Sequence, residues 1–171
     1  MTDLERFDAI ADGIVVIRQN HKRLMVNPVV FSSKSDHWAT PVDLYATLDA
    51  EFGFTFDPCP LMSTENGVKL PWTGRVFCNP PYSSIDRFMA KGLWHLSQGA
   101  CELLVFLIPA RTDTAWFHDY CYGKAEIRFF RGRLKFGDSK NSRAPFPSML
   151  VIFREWNLEK LPLEDPCLDP N

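Results

Sequence analysis

Val76-Phe77-Cys78-Asn79-Pro80-Pro81-Tyr82 is the stretch from which the rest of this chain is best understood. An apolar run suited to a buried strand leads straight into Asn-Pro-Pro-Tyr, and Ser83-Ser84-Ile85-Asp86 then reads as a helix start. Pro80 and Pro81 have no N–H and nearly fixed φ, so the loop presents carbonyl oxygens without competing donors. The Asn79 side-chain oxygen and the Pro80 carbonyl can each accept one hydrogen of an exocyclic amino group, and Tyr82 offers a flat face for stacking. Such an amino nitrogen is a poor nucleophile because its lone pair is delocalised into the ring. Two acceptors off the ring plane favour a tetrahedral nitrogen and localise that pair. The same residues also suit an ordinary strand-ending turn. The flanking sequence has to decide.

Upstream, Thr40 as N-cap, Pro41 at the first helical position and Asp43 three after the cap predict a helix. Val42, Tyr45, Leu48 and Phe52 follow at helical spacing as its inward face, and Gly53 stops it. Trp38, just before, suits either a core anchor or the wall of a ligand site. Phe54-Thr55-Phe56 reads as a strand ending in Asp57-Pro58-Cys59-Pro60. Ligands of open α/β sheets bind at the carboxyl ends of strands, where Asp57 can receive a cationic or amino-bearing group. Its plainer role is an Asx turn. The polar stretch from Leu61 to Lys69 has no glycine-rich loop, which argues against NAD or ATP.

Downstream, Ser83 or Ser84 caps a helix to about Ser97 that turns Ile85, Phe88, Met89, Leu93 and Leu96 inward. Glu102 to Ile108 is the strongest buried-strand signal, ended by Pro109. Arg111-Thr112-Asp113-Thr114 opens a third helix through Trp116, Phe117 and Tyr120, stopped by Gly123. Ala125 to Phe130 is a strand, and Arg131 to Gly137 has the composition of a hairpin or loop. Pro145-Phe146-Pro147 introduces a last strand, Ser148 to Phe153. This alternation predicts an α/β sheet, mostly parallel, with the strand near Ser148 antiparallel at one side. Residues 1–34 read as a poorly patterned arm with a short amphipathic helix from Asp3 to Ile17. Residues 155–171 read as an acidic, proline-bearing tail.

With 171 residues, 46% hydrophobic and 23% charged, the chain suits one globular domain, here residues 35–154. Its longest apolar run, Leu103 to Ala110, is too short to cross a bilayer, and the first residues lack signal-peptide features. The five cysteines are odd in number and contain no Cys-x-x-Cys pair, so reduced thiols in a cytoplasm fit better than disulfides or zinc. Net charge is −2, but it is segregated. From Lys124 to Arg143 seven basic residues (Lys124, Arg128, Arg131, Arg133, Lys135, Lys140, Arg143) face Glu126 and Asp138, so the segment carries +5 and the remainder −7. Such asymmetry points to a surface for a polyanion.

Taken in order, Trp38-x-Thr40-Pro41, Asp57-Pro58-Cys59, Asn79-Pro80-Pro81-Tyr82, Leu107-Ile108-Pro109-Ala110-Arg111-Thr112-Asp113-Thr114, Arg131-Gly132-Arg133-x-x-Phe136 and Pro145-Phe146-Pro147-Ser148 resemble the phage-type DNA N6-adenine methyltransferases. The resemblance implies a compact Rossmann-like class I methyltransferase fold, S-adenosyl-L-methionine as cofactor and adenine in double-stranded DNA as substrate. It implies that Trp38, Thr40, Pro41, Asp57, Pro58, Cys59 and Asn79 line the cofactor site, and that Asn79, Pro80, Pro81 and Tyr82 do the chemistry. Arg111, Arg131, Arg133, Lys135, Lys140 and Arg143 form the DNA-facing set. Two departures stand out. Pro60 replaces a small residue or glycine, and the segment from Asp57 to Asn79 is short. Strands usual there are expected to be missing or reduced, including the one whose acidic residue grips the ribose; Glu65 is the candidate for that role.

The chemistry implied needs no metal and no cysteine nucleophile, so Cys59 and Cys78 read as packing residues. Histidines 21, 37, 95 and 118 are scattered and read as surface or cap residues. The target adenine is expected to flip out of the duplex, because its amino nitrogen is unreachable in the stack. Without a separate recognition domain, sequence specificity is expected to be low. Asn-Pro-Pro-Tyr could equally hold the N4 of cytosine, a guanine amino group in RNA or a protein glutamine, although the basic segment favours nucleic acid. A DNA-binding module without catalysis is the rival from another class, and the intact Asp57 and Asn79 argue against it.

Overall fold

Four strands, β1 (Gly74–Cys78), β2 (Cys101–Pro109), β3 (Glu126–Phe129) and β4 (Ser148–Arg154), form one sheet in the order β1-β2-β4-β3. The structure, a computed structural model, describes residues 38–60, 66–136 and 144–154. The expected helix from Asp3 to Ile17, Glu65, Lys140, Arg143 and the tail lie outside these residues.

β2 is central because both its faces are apolar. Side chains alternate across the pleat, so Leu103, Val105 and Leu107 lie on one side and Leu104, Phe106 and Ile108 on the other. Leu104, Phe106 and Ile108 pack with Trp72, Met89, Leu93 and Leu96, so helix α2 (Ile85–Ser97) covers that face. Leu103, Val105 and Leu107 pack with Leu48 and Phe52 of helix α1 (Val42–Phe52), which covers the other. A strand buried on both faces is necessarily a continuous apolar run, hence its legibility.

β1 runs parallel to β2, from Gly74↔Cys101 to Cys78↔Phe106. β4 runs antiparallel to β2 through seven pairs, Leu103↔Arg154 to Pro109↔Ser148. β3 is antiparallel to β4 and therefore points the same way as β1 and β2. Three strands thus share one direction and β4 alone is reversed, as expected, but it lies inside the sheet between β2 and β3 rather than at one side, because β3 pairs with its outer edge. The strand expected at Phe54–Phe56 is reduced to one parallel bridge, Phe56↔Val76, held by Phe77 N–H to the Phe56 carbonyl at 3.0 Å. A turn at Asp57 follows at once.

Other boundaries shift for local reasons. Pro41, extended at ψ 132°, is the N-cap of α1, and no side chain caps this helix. The Thr40 hydroxyl is engaged elsewhere. Gly53 ends α1 in the left-handed region, as expected. Val42, expected inward, is 81% exposed. A 3-10 turn at Tyr82–Ser84 precedes α2, and neither serine caps it with its side chain. The third helix is short and closes in a π-type turn, Phe117–Cys121. The segment from Arg131, expected as a hairpin or loop, has no regular structure as far as Phe136, as a loop would. His95, expected at the surface or in a cap, is buried on α2. Among the described residues no helix is long and apolar enough to cross a membrane.

Trp72 is fully buried between α2 and β2, and its indole N–H donates to the Gly67 carbonyl at 2.8 Å. Gly92 makes room for it: a Cβ there would lie 2.8 Å from the Trp72 ring and 3.1 Å from Leu104. Overpacking costs about 1–3 kcal/mol, while the helix-propensity gain of alanine over glycine returns at most about 1 kcal/mol. Trp72 is anchored and cannot swing aside. We expect Gly92→Ala to lower the melting temperature by a few degrees, at roughly 2–4 °C per kcal/mol, measured by thermal denaturation.

Candidate functional site

The reversal of β4 decides where the functional loops meet. The loops after β1, β2 and β3 leave the sheet at its carboxyl end, and because β4 runs backwards the loop before it arrives there too. Pro109 pairs with Ser148, and the Ala110 N–H donates to the Pro147 carbonyl at 2.9 Å. Asp57, Asn79 to Tyr82, Ala110, Arg111, Arg131 to Phe136 and Pro145 to Ser148 all belong to this end.

Asn79 follows the last residue of β1, and both its amide hydrogens are engaged. Nδ2 donates to the Trp38 carbonyl and to the Thr40 hydroxyl, the latter at 3.0 Å. A carbonyl only accepts, so the nitrogen must face Trp38. Oδ1 therefore faces the other way, buried and without a hydrogen-bond partner among the described residues. A buried acceptor left unpaired costs about 1–3 kcal/mol, a cost that a donor from a ligand removes. Pro80 beside it is buried.

Asn79 lines a cleft of about 210 Å³ together with Trp38, Ala39, Thr40, Val42, Tyr45, Asp57, Cys59 and Phe77. Among the described residues Asp57 carries the only formal charge in this lining, so that part of the cleft suits a cation and disfavours a phosphate. Asp57 Oδ1 accepts the Cys59 N–H at 2.8 Å, an Asx turn that leaves Oδ2 for a ligand. Both roles weighed for Asp57 are thus compatible. The turn is backed by Gly67, where a Cβ would lie 2.1 Å from the Pro58 carbonyl. Val42 and Tyr45 put apolar surface on the cleft, which explains an exposed valine where periodicity places a core residue. Cys59 and Cys78 are free thiols with Sγ atoms 3.9 Å apart, and burial holds Cys78 well above the usual thiol range.

A second cleft, about 380 Å³, is lined by Tyr82, Ser83, Ile85, Asp86, Ala115, Trp116, Asp119 and Tyr120. The Asn79–Tyr82 loop thus borders both clefts, Asn79 on the first and Tyr82 on the second. An aromatic group ties this loop to its neighbours: Trp38 meets Phe136 and Phe146 edge-on at 5.6 and 5.5 Å, and Tyr82 meets Phe146 at 5.1 Å. Trp38 is therefore at once an aromatic anchor and a wall of the cleft. Pro41 and Pro58 are not among the lining residues; they shape the turns that carry those that are.

The basic residues behave unequally. Arg131 and Lys135 are exposed. Arg133 is exposed as well, but its Nη1 also donates to the Pro145 carbonyl at 2.6 Å, so it fastens the returning loop. Arg128 pairs with Glu51 and Glu126, each at 2.6 Å, and is neutralised locally. Arg111 is half-buried just beyond β2. Among the described residues no group of three or more His, Cys, Asp or Glu is placed to hold a metal. Tyr45, Phe77 and Gly67 were not singled out as site residues; only the proximity of Tyr45 to Trp38-x-Thr40-Pro41 hinted at it.

An open sheet with one reversed strand, helices on both faces and ligand loops at the carboxyl ends is a Rossmann-like class I methyltransferase fold. The chain belongs to the DNA N-6-adenine-methyltransferase (Dam) family, whose model matches residues 29–164. A DNA N-6-adenine-methyltransferase of Escherichia phage T1 is 31% identical over 106 residues. The match covers 54% of this chain and 43% of the relative, so the chain spans less than half the length of that protein.

Burial holds the Asp57 carboxyl above its ordinary value, and the Cys59 N–H draws it only part of the way back. A folded value above the unfolded one makes its contribution to stability full in acid, below the unfolded value, and lost as pH rises through the folded value. Asp57→Asn retains an oxygen for the Cys59 N–H and removes the charge. We expect the ligand-free variant to melt above the wild type at neutral pH, with the gap closing in acid. Melting curves across pH check this.

Proposed function

We propose that the chain transfers a methyl group from S-adenosyl-L-methionine to the N6 amino group of adenine in double-stranded DNA. The observation that carries this reading is the buried, unpaired Oδ1 of Asn79, held in place by the two bonds of its amide nitrogen. Family membership and the phage T1 relative support it.

The first cleft suits the cofactor by its chemistry: among the described residues it has one carboxylate, no cation, and apolar walls from Trp38, Val42 and Tyr45. When bound, S-adenosyl-L-methionine supplies an electrophilic methyl group on a sulfonium. Asp57 would hold the amino group of its amino-acid moiety. Asn79 Oδ1 and the Pro80 carbonyl accept the two N6 hydrogens, which draws the nitrogen towards a tetrahedral form and localises its lone pair. Tyr82, on the second cleft, gives the adenine a stacking face once it has left the duplex. Positioning of donor and acceptor supplies most of the acceleration. Arg131 and Lys135 meet the phosphates; Arg133 holds their loop. We read the chain as phage-encoded and acting on DNA in the host cytoplasm, where methylation bears on restriction.

The direct test is incubation of isotopically labelled cofactor with DNA, RNA and protein in separate reactions, followed by mass spectrometry of the nucleosides and peptides. N6-methyladenine is expected. N4-methylcytosine, a labelled RNA guanine or a labelled protein glutamine would move the substrate, and DNA binding without transfer would leave a non-catalytic module. Asn79→Ala should lower turnover by about 10²-fold or more, with cofactor binding little changed by calorimetry. Neutralising Arg131 and Lys135 together should weaken binding to all sequences and flatten the salt slope of log affinity by roughly 0.9 per lost phosphate contact. An unchanged slope would place the DNA surface elsewhere.

A further inference from the structure

Thr40 stands where a helix cap is expected and caps nothing: α1 begins at Val42 without a side-chain cap. Its hydroxyl instead accepts an amide hydrogen of Asn79, 39 residues away, at 3.0 Å. We propose that Thr40 is a positioning residue for methyl transfer, acting through Asn79 by fixing which way the amide faces. This rests on the reading of Asn79 given above.

The terminal torsion of an asparagine is broad, so a single contact does not define the plane of its amide. The Trp38 carbonyl supplies one contact, from the backbone, and no side-chain change removes it. Thr40 supplies the second. With both made, Oδ1 has one direction; with one, the amide can pivot about the Trp38 bond and carry Oδ1 off the N6 hydrogen.

Thr40→Val keeps the branched shape and removes the acceptor; Thr40→Ser keeps the acceptor. We expect Thr40→Val to lower kcat by about 10- to 100-fold, the scale of a small misplacement of a reacting group. KM for the cofactor should stay within about twofold, and Thr40→Ser should recover most of the rate. In an Asn79→Ala background Thr40→Val should cost nothing further, because the group it orients is gone. A kcat for Thr40→Val equal to wild type, a loss recovered at saturating cofactor, or full additivity with Asn79→Ala would each overturn the proposal. A nitrogen-15 NMR readout separates this outcome from failure of the assigned activity. The Asn79 side-chain amide protons should be slow to exchange in wild type and Thr40→Ser and fast in Thr40→Val, whatever the enzyme methylates. Equal exchange in all three would also overturn it.

Discussion

The antiparallel pairing of β4 with β2 is the constraint on which the rest depends. Its seven pairs run the length of the central strand and bring Ser148 opposite Pro109. If β4 ran parallel, Pro145-Phe146-Pro147 would enter at the far end of the sheet and Phe146 could not reach Trp38 or Tyr82. Among the described residues β3 is held in the sheet by β4 alone. One reversed strand thus gathers residues from Trp38 to Ser148 at a single end, on a core closed by a helix on each face.

At that end, polar groups are arranged against local stability. Asn79 carries a buried oxygen without a partner, and Asp57 a carboxyl that burial disfavours in its charged form. Neither arrangement is needed for the fold, since an Asx turn needs only one oxygen of Asp57. Each fits a ligand that donates: an amino hydrogen to Asn79 and a cationic group to Asp57. Polar groups left uncompensated in a rigid frame characterise a preorganised site, where the frame supplies the stability that the site gives up.

How much of this could be read in the sequence follows from the range of each interaction. Glu102 to Ile108 was legible because burial on both faces writes an uninterrupted apolar run. Ile85, Phe88, Met89, Leu93 and Leu96 were legible because one helix face writes its own period, and all five are buried. Val42 misled because periodicity cannot tell a side chain facing the core from one facing a ligand. Thr40 misled because a local capping pattern carries no trace of an asparagine 39 residues on. His95 lies on the buried stripe of α2, four residues from Lys91, where a polar identity masks the period. The carbonyl of Trp38 belongs to the backbone, so no residue type could have marked it. Arg128 looked like part of one basic surface, yet it is paired with Glu51 and Glu126, because a charge count along one segment ignores a partner as distant in sequence as Glu51.

The long return from Pro109 to Ser148 also sets an order of events. α1, β1, α2 and β2 precede β4 in the chain, so the loop bearing Asn79 can form while a growing chain is still being made. Until residues 148–154 have emerged, one edge of β2 is unpaired and Trp38 and Tyr82 lack Phe146. Closing so distant a pair is slow relative to local helix formation. A nascent chain therefore acquires its acceptor loop early and its walls last, and it passes through a stage with an exposed, strongly apolar strand edge, the kind of surface on which chaperones act.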